Sequence, residues 1–216
     1  MKAPLVFLPG LGADSRLFIF QQKEFKNILA PAWIPPKKNE SLSHYAKRWA
    51  RILNLKKGCV LVGVSFGGMV ALEMAEWVQP RAIFLIGSCR SQESVPFYLR
   101  TLGGLWIWPY LGKTLAKLFP FGRGWFLGVY EAEQKNLLMK MFRESPNTFL
   151  RWTTQAIREW GGYRYSFKNI YHIHGDRDRL IPIQNVSPDE VVKGGGHTII
   201  LTHPKEVNAF IKNWVK

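Results

Sequence analysis

Residues 60–70 read VLVGVSFGGMV, a stretch that can fold in few ways. The apolar, β-branched run Val60, Leu61, Val62 predicts a buried strand, and Met69, Ala71, Leu72, Met74 and Ala75 predict a helix packed close to it. Between them, Gly63-Val64-Ser65-Phe66-Gly67-Gly68 leaves room for a sharp turn with small neighbours. Such a turn holds its central residue in a strained backbone conformation. One serine hydroxyl is thereby presented at the carboxyl end of a strand, beside the positive N-terminus of a helix. The G-x-S-x-G spacing alone also suits a glycine-rich turn whose serine merely caps the helix. Its meaning depends on what the rest of the chain brings to the same place.

The flanking sequence alternates strand and helix. Leu5 to Leu8 is a short, continuously apolar run, as expected of a strand covered on both faces, and it ends in a glycine-containing turn over residues 9–14. Leu17, Phe18 and Phe20 begin a short helical or turn segment. Asn27 to Ile34 predicts a poorer strand with Pro31 inside it, which suits the edge of a sheet. Ser41 precedes an amphipathic helix marked by Leu42, Tyr45, Trp49, Ile52 and Leu53, with Lys47, Arg48 and Arg51 outward. After the Ser65 unit, Ala82 to Ile86 is another buried strand stopped by Gly87-Ser88. Ile170 to His174 and Asp189 to Lys193 are later strands, and residues 204–216 close the chain as a helix with Val207, Phe210, Ile211 and Trp214 on one face. This rhythm predicts an α/β protein, a mostly parallel sheet with helices on both faces.

From Arg90 to Lys168 the rhythm breaks. These 79 residues hold 17 of the chain's 30 aromatic side chains and no run that reads as a sheet strand, so they predict a helical insertion. Helical patterns fall over Leu111 to Phe119, Glu131 to Phe142 and Thr148 to Trp160. Lys and Arg outnumber Asp and Glu there by 12 to 5. Leu105, Trp106, Ile107 and Trp108, near basic residues, would suit a membrane surface, but buried packing within the insertion explains them as well.

A formal net charge of +15 over 216 residues raises nucleic acid, anionic membrane and acidic substrates as partners. There is no dense Lys/Arg block, zinc pattern or aromatic RNA-binding signature, so nucleic acid is not the expected partner. The first ten residues carry about four consecutive apolar residues, too few for a signal-peptide core, and no run approaches the ~20 of a membrane span. Cys59 and Cys89 fall at opposite ends of successive parallel strands, roughly 20 Å apart and beyond disulfide reach. Reduced thiols and a cytoplasmic location follow as expectations.

The chemistry turns on what accompanies Ser65. A serine hydroxyl is a poor nucleophile without an adjacent base that a third group orients. The chain offers acids after the Ile170 strand, in Gly175-Asp176-Arg177-Asp178, and a histidine after the last strand, in Gly194-Gly195-Gly196-His197. All fall at carboxyl ends of predicted parallel strands, where open α/β sheets gather ligands. The order Ser65, Asp178, His197 is one in which a Ser-Asp-His triad is known to run. Other candidates are weaker. His172 and His174 share a strand face and invite a metal, but no partner is spaced to complete a site. His203 reads as a surface or capping residue, and His44 has no evident partner. Gly10 and Gly12 hint at phosphate binding, but the dinucleotide fingerprint is broken at Ser15. No cofactor or metal is expected.

The strings LPGLG at 8–12, GVSFGG at 63–68, HGDRDRLIP at 174–182 and GGGH at 194–197 make the chain resemble α/β-hydrolase fold proteins over nearly its whole length. Within that family it is most similar to small bacterial carboxylesterases and acyl-thioesterases. The resemblance implies Ser65 as nucleophile, Asp178 rather than Asp176 as acid, His197 as base, and the backbone amides of Leu11 and Phe66 as oxyanion donors. It makes residues 90–168 a helical lid on a core of 1–89 and 169–216. Two departures stand out. The first turn reads Leu-Pro-Gly where many relatives have His-Gly, and the antiparallel hairpin that usually precedes the first parallel strand is missing, which predicts about six strands in place of eight. The implied reaction is cleavage of a carboxylic ester or thioester through an acyl-serine. The aromatic insertion points to an apolar acyl group, and its basic charge to an anionic leaving half. A lyase or perhydrolase of the same fold, or a small-molecule-binding protein built on it, are the alternatives.

Overall fold

The computed structural model describes residues 4–102, 120–165 and 167–214. Its centre is a six-stranded sheet in which every pair is parallel, formed by β1 (Leu5–Leu8), β2 (Ile28–Leu29), β3 (Val60–Val64), β4 (Ala82–Ile86), β5 (Ile170–Gly175) and β6 (Glu190–Val192), in the order β2-β1-β3-β4-β5-β6. The first, third and fourth strands have continuous apolar runs because both faces are covered. Val6, Leu8, Leu61, Ile83 and Leu85 enter one core, while Leu5, Phe7, Val60, Val62, Val64, Phe84 and Ile86 enter the other.

On the first face lie α2 (Leu42–Ile52) and α3 (Phe66–Val78), with Tyr45, Trp49, Leu72 and Met74 fully buried against the sheet. On the second lie α1 (Ile19–Glu24), which follows a 3-10 turn at Ser15–Phe18, and the closing helix α9 (Pro204–Trp214), through Val207, Phe210 and Ile211. The Ser41 side chain caps α2 by accepting the His44 N–H, as a serine before an amphipathic run should. Between β4 and β5 the chain makes α4 (Phe97–Leu102), α5 (Pro120–Leu127), α6 (Ala132–Glu144) and α7 (Asn147–Glu159); a one-turn helix, α8 (Ile199–Thr202), precedes α9. The expected helix over Leu111 to Phe119 and the Leu105–Trp108 stretch lie outside the described residues.

One element is shorter than its sequence suggests. β2 takes the expected edge position but pairs over Ile28–Leu29 alone. Pro31, Pro35 and Pro36 have no N–H to give to a ladder, so the chain after Leu29 runs unpaired toward α2. Among the described residues, no helix is long and apolar enough to cross a membrane.

The register sets the site. Leu8 lies opposite Gly63, Val64 opposite Ile86, Ile86 opposite Ile173, and Gly175 opposite Val192. The strands therefore end nearly level, and the loops that leave them converge on one edge of the sheet.

Candidate active site

Ser65 stands between β3 and α3 with φ 52° and ψ −120°, a conformation that a side-chain-bearing residue adopts only when its surroundings impose it. Glycines on either side make it attainable. A Cβ on Gly63 would stand 2.4 Å from the Gly67 oxygen and the Gly68 Cα, and one on Gly67 would stand 2.2 Å from the Leu8 oxygen. The helix thus starts in backbone contact with its own strand and with β1. The turn is held from both sides: the Ser65 N–H donates to Ile86 O (3.0 Å), while Ser65 O accepts from the Ser88 hydroxyl (2.7 Å) and the Gly68 N–H (2.9 Å). Ser65 makes no capping bond to the helix, so its hydroxyl is left for other partners.

That hydroxyl meets His197. His197 Nε2 lies 2.9 Å from Ser65 Oγ, and its Nδ1 lies 2.7 Å from Asp178 Oδ2. The three residues come from the ends of β3, β5 and β6, with Asp178 and His197 buried and Ser65 half-buried. Asp178 Oδ1 accepts the N–H groups of Leu180 (2.8 Å) and Ile181 (2.9 Å). Burial opposes ionisation of Asp178, but the charge of His197 and hydrogen bonds from His174, His197 and Ile181 outweigh it and hold the carboxyl well below the usual range. Asp176 is elsewhere: it is exposed and its Oδ1 accepts the Gly194 N–H at 2.7 Å, bracing the loop that carries His197.

The first turn lies against the nucleophile. A Cβ on Gly10 would be 3.4 Å from Ser65 Cβ and 4.0 Å from Oγ, which sets the following residue, Leu11, beside the serine. Phe66 opens α3, where the first N–H groups of a helix have no intrahelical acceptor. The insertion reaches the same edge. Phe142 of α6 packs on Gly12, where a Cβ would meet its ring at 2.5 Å, and Arg16 bridges Asp14 and Glu144. At the other side Gly128 touches Gly196, the Thr198 N–H donates to Leu127 O (3.2 Å), and Arg179 donates to Trp125 O (2.8 Å). An aromatic cluster extends from Phe66 through Trp33, Tyr45, Phe149 and Trp152, with ring centroids 4.2–6.3 Å apart. It is pinned by indole hydrogen bonds from Trp33 to Ala13 O (3.0 Å) and from Trp152 to Glu40 O (2.7 Å).

Several contacts here have no local signature. Ser88, Phe142 and Trp33 reach the Ser65 region only because the sheet folds as it does; the Gly87-Ser88 strand stop was visible, its hydroxyl's partner was not. His44, which had no evident partner in the sequence, shares a hydrogen bond with Ser41 (3.1 Å), and His203 shares one with Thr202 (2.9 Å). Cys59 and Cys89 are free and buried. Burial pushes the Cys89 thiol up to about 12, so it is not a nucleophile near neutral pH. Among the described residues, no group of three or more His, Cys, Asp or Glu side chains is set to hold a metal ion.

Two buried groups give stability the same dependence on pH. Burial, the nearby His174 and Arg90 push His172 down to about 3. An unfolded chain protonates that ring near 6.5, so the unfolded state takes up a proton as pH falls from about 6.5 to about 3 and stability declines. Asp178, depressed in the fold, loses its contribution as pH falls below the ordinary carboxylate range. Urea unfolding over pH 7 to 4 is expected to show this loss, and His172→Phe to flatten it above pH 5. An equal slope in the variant would contradict the assignment.

A parallel sheet with a strand-turn-helix serine and loops converging on its carboxyl edge defines an α/β hydrolase fold. Residues 5–210 match the alpha/beta hydrolase family, and the chain belongs to it. A sequence search of curated proteins found no match. Among solved structures, the chain is similar to the esterase EaEST from Exiguobacterium antarcticum, with 16% identity and TM-score 0.77 over 99% of this chain and 91% of that one. It is similar to a bromoperoxidase from Bacillus anthracis, with 16% identity and TM-score 0.75 over 100% and 92%. The N-acyl homoserine lactonase AidH gives 17% and 0.74 over 100% and 89%.

Proposed function

We propose that this chain is a serine hydrolase that cleaves a carboxylic ester or thioester with an apolar acyl group. The observation that carries the reading is the unbroken hydrogen-bond path from Ser65 Oγ through His197 to Asp178, at 2.9 and 2.7 Å, ending on a strained and accessible serine. Ser65 Oγ attacks the carbonyl carbon as its proton passes to His197 Nε2. The oxyanion takes hydrogen bonds from the Leu11 and Phe66 N–H groups, each worth a few kcal/mol. Collapse expels the alkoxide or thiolate, which receives the proton from His197, and leaves an acyl-serine. Water then gives a proton to the same nitrogen, attacks the acyl carbon, and releases the acid with Ser65 restored.

The aromatic cluster beside Phe66, together with Phe142 on the first turn, supports an apolar acyl group. The insertion acts as a lid over the carboxyl edge of the sheet, a reading its contacts with Gly12, Gly196 and Arg179 support. Free, buried cysteines agree with a cytoplasmic setting. A panel of p-nitrophenyl esters and acyl thioesters tests the reaction: release of the free acid is expected, with medium acyl chains preferred over acetyl. Likeness to a bromoperoxidase favours one second reading, transfer of the acyl group to hydrogen peroxide, which product analysis with peroxide present would separate.

The 12-to-5 excess of basic residues over residues 90–168 supports an anionic leaving half, such as coenzyme A or a carrier protein. For an acyl-coenzyme A donor, kcat/KM is expected to fall severalfold between 50 and 500 mM salt, as screening shortens the reach of those charges. A neutral p-nitrophenyl ester is expected to be indifferent. Salt-insensitive turnover of the thioester, slower than that of the neutral ester, would end this part of the proposal.

A further inference from the structure

The polar path from Ser65 does not stop at Asp178. Asp178 Oδ2, which accepts from His197 Nδ1, also lies 3.1 Å from His174 Nε2. Two backbone N–H donors thus face Oδ1, and two ring nitrogens face Oδ2. The hydrogen bond of His174 Nε2 itself goes to the Ile181 carbonyl at 2.8 Å, with Asp178 Oδ2 the second, longer contact. Both neighbours of that nitrogen are acceptors, so it carries a hydrogen. On the other side of the ring, Nδ1 stands 3.0 Å from His172 Nε2, with the two imidazoles nearly perpendicular at 83°. Both histidines are buried, at 0% and 1% exposure. A core that needed only volume there would hold phenylalanine or leucine, since imidazole nitrogens are costly to bury unless each is bonded.

We propose that His174, seated against His172, is a positioning residue of the site: its Nε2–H, shared between Ile181 O and Asp178 Oδ2, holds that carboxylate oxygen in the direction from which it takes the His197 Nδ1–H. The two N–H groups on Oδ1 pin one oxygen but leave the carboxylate plane free to turn about it. A donor on Oδ2 from the core side stops that rotation, and His197 is then aimed at Ser65. His172 fixes the ring of His174 from behind. The inference rests on the acyl-transfer reading of the site. It predicts a loss confined to the chemical step, because neither histidine lies at the accessible face of Ser65.

The test uses the full chain and p-nitrophenyl butyrate. His174→Phe, which keeps the ring volume and removes the N–H, is expected to lower kcat on the order of 10²-fold, the scale of a misplacement of about 1 Å, with KM within twofold. His174→Gln, whose amide presents an N–H at similar reach, is expected to recover most of that loss. Nitrogen-15 NMR of the wild-type histidines is expected to place the His174 ring hydrogen on Nε2, and this measurement holds whether or not a variant folds. An unprotonated Nε2, a His174→Phe enzyme with unchanged kcat, or a His174→Gln enzyme no better than His174→Phe would overturn the role. No turnover by the wild type would overturn the acyl-transfer reading and the positioning role with it, whereas wild-type turnover with an insensitive His174→Phe would overturn the positioning role alone.

Discussion

Ser65→Ala is expected to lower kcat/KM for p-nitrophenyl esters by about 10⁴- to 10⁶-fold, the range seen when one member of a cooperating nucleophile-base unit is removed. The hydroxyl is what His197 Nε2 faces at 2.9 Å, and no neighbouring group replaces it. Cys89 is buried with its thiol pushed up to about 12, and the Ser88 hydroxyl is committed to Ser65 O at 2.7 Å. His197→Ala is expected to cost a similar factor, and the double variant little more than either alone, because the two act as a unit. The fold should survive, since the alanine keeps the backbone at φ 52°. Ser65→Gly separates the strain from the chemistry. It is expected to be equally inactive but to unfold at a higher temperature, because a non-glycine residue in such a conformation costs of order 1–3 kcal/mol. A Ser65→Gly protein that melts lower than wild type would argue against stored strain at the turn.

Gly67→Ala is the second large effect, and it falls on folding. The added methyl would lie 2.2 Å from the Leu8 oxygen and 2.4 Å from the Pro9 oxygen, both backbone atoms with no side chain to swing aside. Either α3 withdraws from β1 or the strand ends separate, and both open the apolar core between Val6, Leu61 and Met69. Overpacking that only backbone movement can relieve belongs to the severe class of substitutions, about 4 kcal/mol or more. For a domain of marginal stability this removes a large share of the total. Circular dichroism and urea unfolding are expected to show a protein that is unfolded or melts far below wild type. A variant within 1 kcal/mol of wild type would mean that the helix does not lie where it is described.

How much of this was legible beforehand depended on whether a residue's role is set locally. β1 and β4 could be bounded because strands covered on both faces must be apolar throughout, and Leu5–Leu8 and Ala82–Ile86 are. The stretch after Leu29 could not, because Trp33 and Ile34 look like strand residues but sit among prolines that have no N–H to offer. In the insertion, Ala132–Glu144 and Asn147–Glu159 were visible from helical periodicity, whereas Phe97–Leu102 and Pro120–Leu127 were hidden by glycine punctuation and apolar residues without a clear period. The candidate site divides the same way. Ser65, His197 and the Asp176–Asp178 pair each follow a strand within a short recognisable string, so strand-end placement suggested that a serine, an acid and a histidine meet, and the family resemblance pointed to Asp178 as the acid. Ser88, Phe142 and Trp33 act across 20 or more residues of sequence and leave no local pattern. His174 is an intermediate case. Its alternation with His172 placed both on one strand face, but its contact with Asp178 depends on how the following turn doubles back.

The most direct test of the account is covalent. The protein treated with a fluorophosphonate, which phosphonylates activated serines, should carry one adduct, located by mass spectrometry on the peptide containing Ser65. His197→Ala should lose that adduct while keeping its circular dichroism spectrum. A folded wild-type protein that remains unlabelled, or that is labelled at another serine, would contradict the proposal that Ser65 is the nucleophile of an acyl-transfer site.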